Sequence, residues 1–172
     1  ESAFDIVITG FAGLSGSRII YNEESLRSRL LETYPAFFFR PLCEAGMGCE
    51  GSGGADETEE VCASVEALRE LEGLARQQEE AGLMVRAGEG GIYAAMWKLL
   101  KARRLGAEYS QRAIPILQQT IEICETWSLD PYRLDSAGAG VWLMSGGALG
   151  LVALAERAYG PGSAAAVGRT MK

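Results

Sequence analysis

The sequence predicts an α/β (α+β) domain in which helices pack on a mixed β-sheet. Short β-branched runs alternate along the chain with segments of helical periodicity, and glycine-rich turns separate many of these segments. Of the 172 residues, 48% are hydrophobic, which is enough to bury a full core. We therefore expect residues 1–172 to form a single layered domain.

The first predicted elements are a strand and a helix. Residues 5–9 form a β-branched run that closes on a glycine turn, which is typical of a strand. Residues 18–21 form a second apolar run that suits a strand or a helix equally. Asn22 is a predicted helix cap because its short polar side chain can accept a hydrogen bond from the first turn. This helix is expected to end before Pro35.

The middle of the chain predicts an insertion, a helix, a strand and another helix. Residues 41–60 have no periodicity and combine five glycines with acidic residues, which indicates a flexible insertion. Ser64 is predicted to cap a long helix. A strand at 83–85 then leads through the glycine turn at 88–91 into a helix with apolar residues at helical spacing.

The last third repeats the alternation of helix and strand. A helix is expected after Ile114, and residues 141–144 read as a strand buried on both faces because the run is apolar throughout. A further helix is predicted from Gly147, and a last strand at about 165–169. This order of elements favours helices layered on one sheet.

Charge and composition narrow the class of protein. The net charge of −7 disfavours nucleic acid and membrane partners, because an acidic surface repels phosphate backbones and anionic lipids. No apolar stretch approaches the ~20 residues of a spanning helix, and residues 1–10 lack the layout of a signal peptide, so a cytoplasmic location is expected. With no histidine, Ser–His and Cys–His nucleophiles are excluded.

The four cysteines are expected to be free thiols. Cys43, Cys49 and Cys62 have side chains that can bind metal, but five residues separate the first two, a spacing that fits no standard zinc site. Glu122 and Glu125 lie one helical turn apart, which suits acid–base work, but solvated helix charges explain them more simply. No metal site and no catalytic residue are therefore predicted.

Two glycine turns are the candidate binding elements. The turn of Gly88, Glu89, Gly90 and Gly91 joins a strand to a helix, where unpaired amides and the helix dipole can hold a phosphate. The alternative is that these glycines only let strand and helix pack closely. The turn from Ser136 to Gly138 precedes a buried strand and either lets a ligand approach the backbone or is an ordinary tight loop.

Taken together, the segments resemble the C-terminal domain shared by aminoimidazole ribonucleotide (AIR) synthetase, the hydrogenase maturation protein HypE, selenophosphate synthetase and thiamine monophosphate kinase. The resemblance is greatest to the HypE-like, AIR synthase related branch, and it covers nearly the whole chain except residues 41–60. It is carried by an ordered series of short motifs: DIVIT at 5–9, GLSGS at 13–17, EGGIY at 89–93, IP at 114–115, EIC at 122–124, LDPYRL at 129–134, SAG at 136–138 and AVGR at 166–169.

This resemblance implies a domain that closes over the phosphates of ATP. An N-terminal domain that is absent from this chain would bind ATP and Mg²⁺ and form the homodimer, so the chain would not be catalytic in isolation. The partners implied are that domain, a second subunit and a maturation partner protein. Gly88, Glu89, Gly90 and Gly91 would lie near the phosphates, and Ser136 and Gly138 would face the same cleft.

The chain also departs from the family pattern. Arg86-Ala87-Gly88 stands where an Asp followed by a hydroxyl residue is usual, and Ser15 stands in place of an acidic residue. The terminal Cys that HypE uses as its acceptor is absent. These departures motivate an alternative, a non-catalytic binding or dimerisation module that has lost ATP chemistry. Because the chain opens without Met, directly before a strand, we also expect residues before Glu1 in the natural product.

Overall fold

The computed structural model describes residues 3–45 and 58–172, with only the backbone described at 58–64. These ranges contain five strands, seven α-helices and two 3₁₀ helices. The strands are β1 Asp5–Thr9, β2 Met84–Arg86, β3 Gly106–Tyr109, β4 Gly140–Met144 and β5 Ala164–Met171. The α-helices are α1 Leu14–Asn22, α2 Glu24–Thr33, α3 Arg40–Glu44, α4 Thr58–Glu80, α5 Gly91–Arg103, α6 Gln118–Thr126 and α7 Ala148–Tyr159. The 3₁₀ helices lie at Ala36–Phe39 and Gln111–Ala113.

The strands form one sheet in the order β2-β4-β1-β5-β3. The layered α/β class is confirmed, but every strand pair in the sheet is antiparallel, so the expectation of a mixed sheet was wrong in that respect. The crossover connections explain why all the pairs are antiparallel. The connection from β4 to β5 passes over β1, and the connection from β2 to β3 passes over three strands, so strands of the same direction are never neighbours.

Helices cover both faces of the sheet. On one face, α4 and α7 pack over Val7, Met84 and Trp142. On the other, α5 packs over Ile6, Ile8 and Val141, and the alternation of side chains along β1 explains why its residues divide between the two faces. Strand β4 is buried from Gly140 to Leu143, as expected for a strand covered on both sides.

A third cluster lies beside the sheet, where α1, α2, α3 and α6 enclose an aromatic core. Phe39 is fully buried and contacts the rings of Tyr21, Tyr34 and Phe38, whereas Phe37 is 77% exposed. The run of three phenylalanines therefore finds only part of the buried environment that it favours, because a 3₁₀ helix points successive side chains in different directions.

Two local predictions need correction, namely the helix caps at Asn22 and Ser64. Residues 18–21 belong to α1, in agreement with the helical alternative, and Asn22 ends that helix instead of capping the next one. The cap of α2 is Glu23, whose carboxylate accepts a hydrogen bond from the N–H of Leu26 at 2.8 Å. Ser64 lies inside α4, which begins at Thr58, within the segment 41–60 predicted to be an insertion.

Part of the predicted insertion at 41–60 is helical, since residues 41–44 lie in α3 and residues 58–60 in α4. Residues 46–57, which include Cys49, lie outside the described residues, as does the side chain of Cys62. Among the described helices, none combines the length and apolar character that a membrane span requires.

Candidate phosphate-binding site

Four turns meet at one end of the sheet, and we call this region the glycine-rich end. The turns are residues 10–13, 87–91, 134–139 and 160–163. Backbone hydrogen bonds tie them together. The N–H of Gly10 donates to the carbonyl of Ser163 at 2.7 Å, and the N–H of Ala87 donates to the carbonyl of Ala139 at 2.9 Å. Both predicted binding turns therefore lie in one connected region.

The turn at 87–91 packs directly on the segment 132–136. The N–H of Ser136 donates to the carbonyl of Gly88 at 3.2 Å. Gly91 is pressed so closely on the neighbouring chain that a Cβ there would lie 2.3 Å from the carbonyl oxygen of Tyr132. The structure thus brings together Gly88, Gly91 and Ser136, and it gives Gly91 the packing role that was the alternative to phosphate binding.

Ser136 is fully buried and its hydroxyl makes two hydrogen bonds within the protein. It accepts from the N–H of Gly13 at 2.8 Å and donates to the carbonyl of Leu134 at 2.9 Å. The side chain therefore connects the turns at 10–13 and 134–139, and it positions Gly138 without itself facing solvent.

The start of α5 offers backbone donors. Within the part of the chain that the structure describes, the N–H groups of Gly88, Glu89 and Gly90 have no hydrogen-bond acceptor. Gly90 has φ +81° and begins the helix, and Glu89 is exposed. Free amides at the positive end of a helix dipole attract anions, and phosphate binding at this turn stays a prediction.

A small cleft of about 110 Å³ opens beside Gly138. Gly138 has φ +93°, and no heavy atom lies within 4 Å of the position that its Cβ would take. The cleft is lined by Gly10, Phe11, Leu14, Arg18, Ala137, Gly138, Ala139 and Tyr159. Arg18 is its cationic group, so the cleft combines open backbone with a positive charge.

Arg18 is held by carbonyls at the C-terminal end of α3. Its guanidinium donates to Leu42 at 2.8 Å, to Cys43 at 3.3 Å and also to Ala45. These neutral acceptors orient the side chain without neutralising its charge. Tyr159, on the other side of the cleft, has a raised pKa, mainly because the phenol is buried and also because the carboxylate of Glu72 is nearby.

The sequence does not predict Arg18 and Tyr159 as lining residues. Arg18 belongs to an apolar run, and its only signal is that of a single basic residue soon after a glycine turn. Tyr159 was assigned to the apolar stripe of α7, and only the tertiary fold brings that helix end beside Gly138.

The other candidate groups have structural partners. Glu122 accepts hydrogen bonds from the hydroxyl of Tyr34 at 2.5 Å and from the amide of Gln118 at 2.6 Å, and both bonds lower the pKa of its carboxyl. Glu125 is exposed. Cys43 is exposed and Cys124 is buried, and both are free thiols. In the described ranges, no group of three or more Cys, Asp or Glu side chains is arranged to hold a metal ion.

No protein-family model and no curated protein sequence matches the chain. Several solved structures do. E. coli HypE, a hydrogenase maturation protein, has 19% sequence identity and a TM-score of 0.61, with 100% of this chain and 44% of that chain covered. HypE in complex with ATP has 16% identity and a TM-score of 0.61, with 100% and 43% covered. The fold of this chain therefore corresponds to a little under half of HypE.

Other HypE-fold structures extend the likeness. A HypE–HypF complex has 15% identity and a TM-score of 0.58, with 99% of this chain and 47% of that chain covered. Thiamine monophosphate kinase from Aquifex aeolicus has 13% identity and a TM-score of 0.50, with 98% and 48% covered. These likenesses confirm the predicted resemblance for the fold. The chain spans less than half of the length of each of these HypE-fold structures.

Proposed function

We propose that the chain is the C-terminal domain of an ATP-dependent, HypE-like protein related to AIR synthase, and that its glycine-rich end closes over the nucleotide phosphates. The observation that supports this most is the cleft at Gly138, where open backbone meets the guanidinium of Arg18. A guanidinium and backbone amides together form a common phosphate-binding set. The free amides of Gly88, Glu89 and Gly90 lie on the adjoining turn.

In this proposal the chain binds and orients the phosphates and does no covalent chemistry. Arg18 supplies charge, Gly138 lets the ligand approach the backbone, and the buried hydroxyl of Ser136 keeps the turn in place. A rigid turn orients a ligand at little additional entropic cost. Glu89, which is exposed, would lie at the rim.

ATP and Mg²⁺ enter the proposal through the N-terminal domain. One of the similar HypE structures contains ATP. Among the described residues, no group of three or more Cys, Asp or Glu side chains is arranged for a metal ion, and the proposal assigns the Mg²⁺ to the N-terminal domain. The N-terminal domain, a homodimer partner and a cytoplasmic location remain parts of the proposal, and the HypE–HypF complex supports a maturation partner.

Two glycines allow a matched test in the protein made from its natural gene. Gly138 (φ +93°) and Gly147 (φ +74°) both have positive φ and empty space around the Cβ position, but Gly147 precedes α7 at the opposite end of the sheet. Replacing either with Ala costs roughly 1–2 kcal/mol of backbone strain. We expect Gly138→Ala to lower Mg·ATP turnover at least tenfold and Gly147→Ala to change it less than twofold. Equal turnover in the two variants would contradict the proposal.

One observation favours the alternative, a binding module without ATP chemistry. Arg86, at the end of β2, forms ion pairs with Glu72 and Glu79 of α4. Its guanidinium therefore already has carboxylate partners within the protein. A natural gene product that hydrolyses no ATP, with Gly138→Ala behaving as the parent does, would favour that module.

A further inference from the structure

Arg86 stands beside the candidate cleft. In the sheet register, Arg86 pairs with Gly140, and the two residues that precede Gly140 line the cleft. Tyr159 also lines the cleft, and the charges of both Arg86 and Glu72 act on its phenol. Arg86 and Glu72 therefore lie near Tyr159 and near the strand that follows Gly138, next to the residues that line the cleft but not among them.

The bonds that hold Arg86 leave it able to exchange partners. Its Nε lies 2.7 Å from Glu79 Oε1 and its Nη2 lies 3.2 Å from Glu72 Oε2. All three side chains are partly exposed, with 47% exposure for Arg86, 38% for Glu72 and 34% for Glu79. Exposed ion pairs are weak because water competes for both charges. A guanidinium has five N–H donors in a planar fork, which matches a phosphate group better than two separate carboxylates.

We infer that Arg86 is a second anion-binding residue of the cleft, and that Glu72 and Glu79 compete with the anion for its guanidinium. The ligand class is a phosphate or diphosphate group. The inference rests on the proposed phosphate cleft and deepens it. The anion must displace two carboxylates from the guanidinium, and a ligand with two or more negative charges does so more readily than a singly charged one. Arg86, Glu72 and Glu79 together therefore select for the charge of the ligand.

The test measures inorganic pyrophosphate binding by calorimetry. Arg86→Gln is expected to weaken binding about tenfold, because a charge-assisted hydrogen bond is lost. The double variant Glu72→Gln with Glu79→Gln is expected to tighten binding several-fold. In the triple variant that adds Arg86→Gln, the gain should disappear, because the released guanidinium is its source.

A matched control separates release of Arg86 from a general loss of negative charge. Glu66 and Glu80 lie on the same helix, α4, and are exposed. Glu66→Gln with Glu80→Gln removes the same charge without freeing Arg86 and should leave the dissociation constant nearly unchanged. A gain in this control as large as in the Glu72 and Glu79 variant, or a gain that persists in the triple variant, would overturn the inference.

Gly138→Ala distinguishes failure of this inference from failure of the proposed function. If Gly138→Ala weakens pyrophosphate binding and Arg86→Gln does not, the cleft stands and Arg86 is not part of it. If no variant binds pyrophosphate, including the one with Arg86 released, both are overturned. Thermal unfolding of each variant shows whether the fold is kept, so that a loss of binding is attributed to the site.

Discussion

The two ends of the sheet use glycine for different physical reasons. At the glycine-rich end, a Cβ on Gly91 would lie 2.3 Å from a backbone carbonyl oxygen, and one on Gly10 would lie 2.8 Å from the Cα of Ala139. At the opposite end, Gly147 has open space around it, and Gly82 has only the flexible end of Arg103 nearby, at 3.5 Å. Gly10 and Gly91 are therefore needed for close backbone contact, whereas Gly82 and Gly147 are needed only for a positive φ.

The polar contacts at the two ends of the sheet differ in how deeply they are buried. At the glycine-rich end, the hydroxyl of Ser136 bonds a buried amide. At the opposite end, Arg103 caps the carbonyls of Ala81 and Gly82 from the surface, and Thr170 bonds the partly buried amide of Phe4. Water can compete with the exposed contacts of Arg103 but not with the buried bond at Gly13. We therefore expect the glycine-rich end to be rigid, as a preorganised binding site must be.

The largest expected effect is that of Gly91→Ala. A Cβ at Gly91 meets fixed backbone and the residue has φ +66°, so overpacking and backbone strain add to about 3–4 kcal/mol of lost stability. Gly147→Ala, with φ +74° and open space, should cost only about 1 kcal/mol because part of the strain is offset by reduced freedom of the unfolded chain. Urea unfolding of both variants measures the difference, and similar losses would show that close packing does not distinguish the two ends.

Removal of one hydroxyl at each end gives the next largest difference. Ser136→Ala leaves the buried N–H of Gly13 without its acceptor and should cost about 1–3 kcal/mol. Thr170→Val keeps the shape of the side chain and exposes the amide of Phe4 to partial solvation, so it should cost about 1 kcal/mol or less. Chemical unfolding at neutral pH measures the free energy of unfolding of both variants. A larger loss of stability in Thr170→Val than in Ser136→Ala would contradict the prediction.

The smallest expected effect is a pH dependence at the cleft. The pKa of Tyr159 is raised above its usual value of 10.0 by burial and by the carboxylate of Glu72, although Arg86 acts in the other direction. The folded state therefore retains the phenol proton to higher pH than the unfolded chain does. This stabilisation is fully present below about pH 10 and is lost as the pH rises through the folded pKa.

The variant Tyr159→Phe removes that titration. The free energy of unfolding of the parent should fall more steeply above pH 10 than that of Tyr159→Phe, with equal slopes near neutral pH. Ultraviolet titration of the folded parent checks the raised pKa directly. Parallel stability curves for the two proteins above pH 10 would show that the phenol is not shielded at this end of the sheet.

The sequence by itself determined the types of several elements and the positions of two glycine turns, but it left residues 18–21 open between strand and helix and gave no strand at β3. Hydrophobic periodicity placed α5, β4 and α7 well, because burial of an apolar face leaves a periodic record along the chain. The clusters of glycine and small residues predicted turns at Gly90 and Gly138, and both residues have positive φ. The start of α4 was missed because acidic residues near the end of the glycine-rich stretch resemble a loop as much as the first turn of a helix.

Only the tertiary structure decided how those turns meet. Strand direction follows from which strands each crossover passes over, and that depends on long-range packing that leaves no local pattern. The hydroxyl of Ser136 bonds an amide 123 residues away, and Arg18 and Tyr159, from the first and last helices, line one cleft. Local spacing carries no information about such pairs, because their proximity is created by the antiparallel sheet that joins the two ends of the chain.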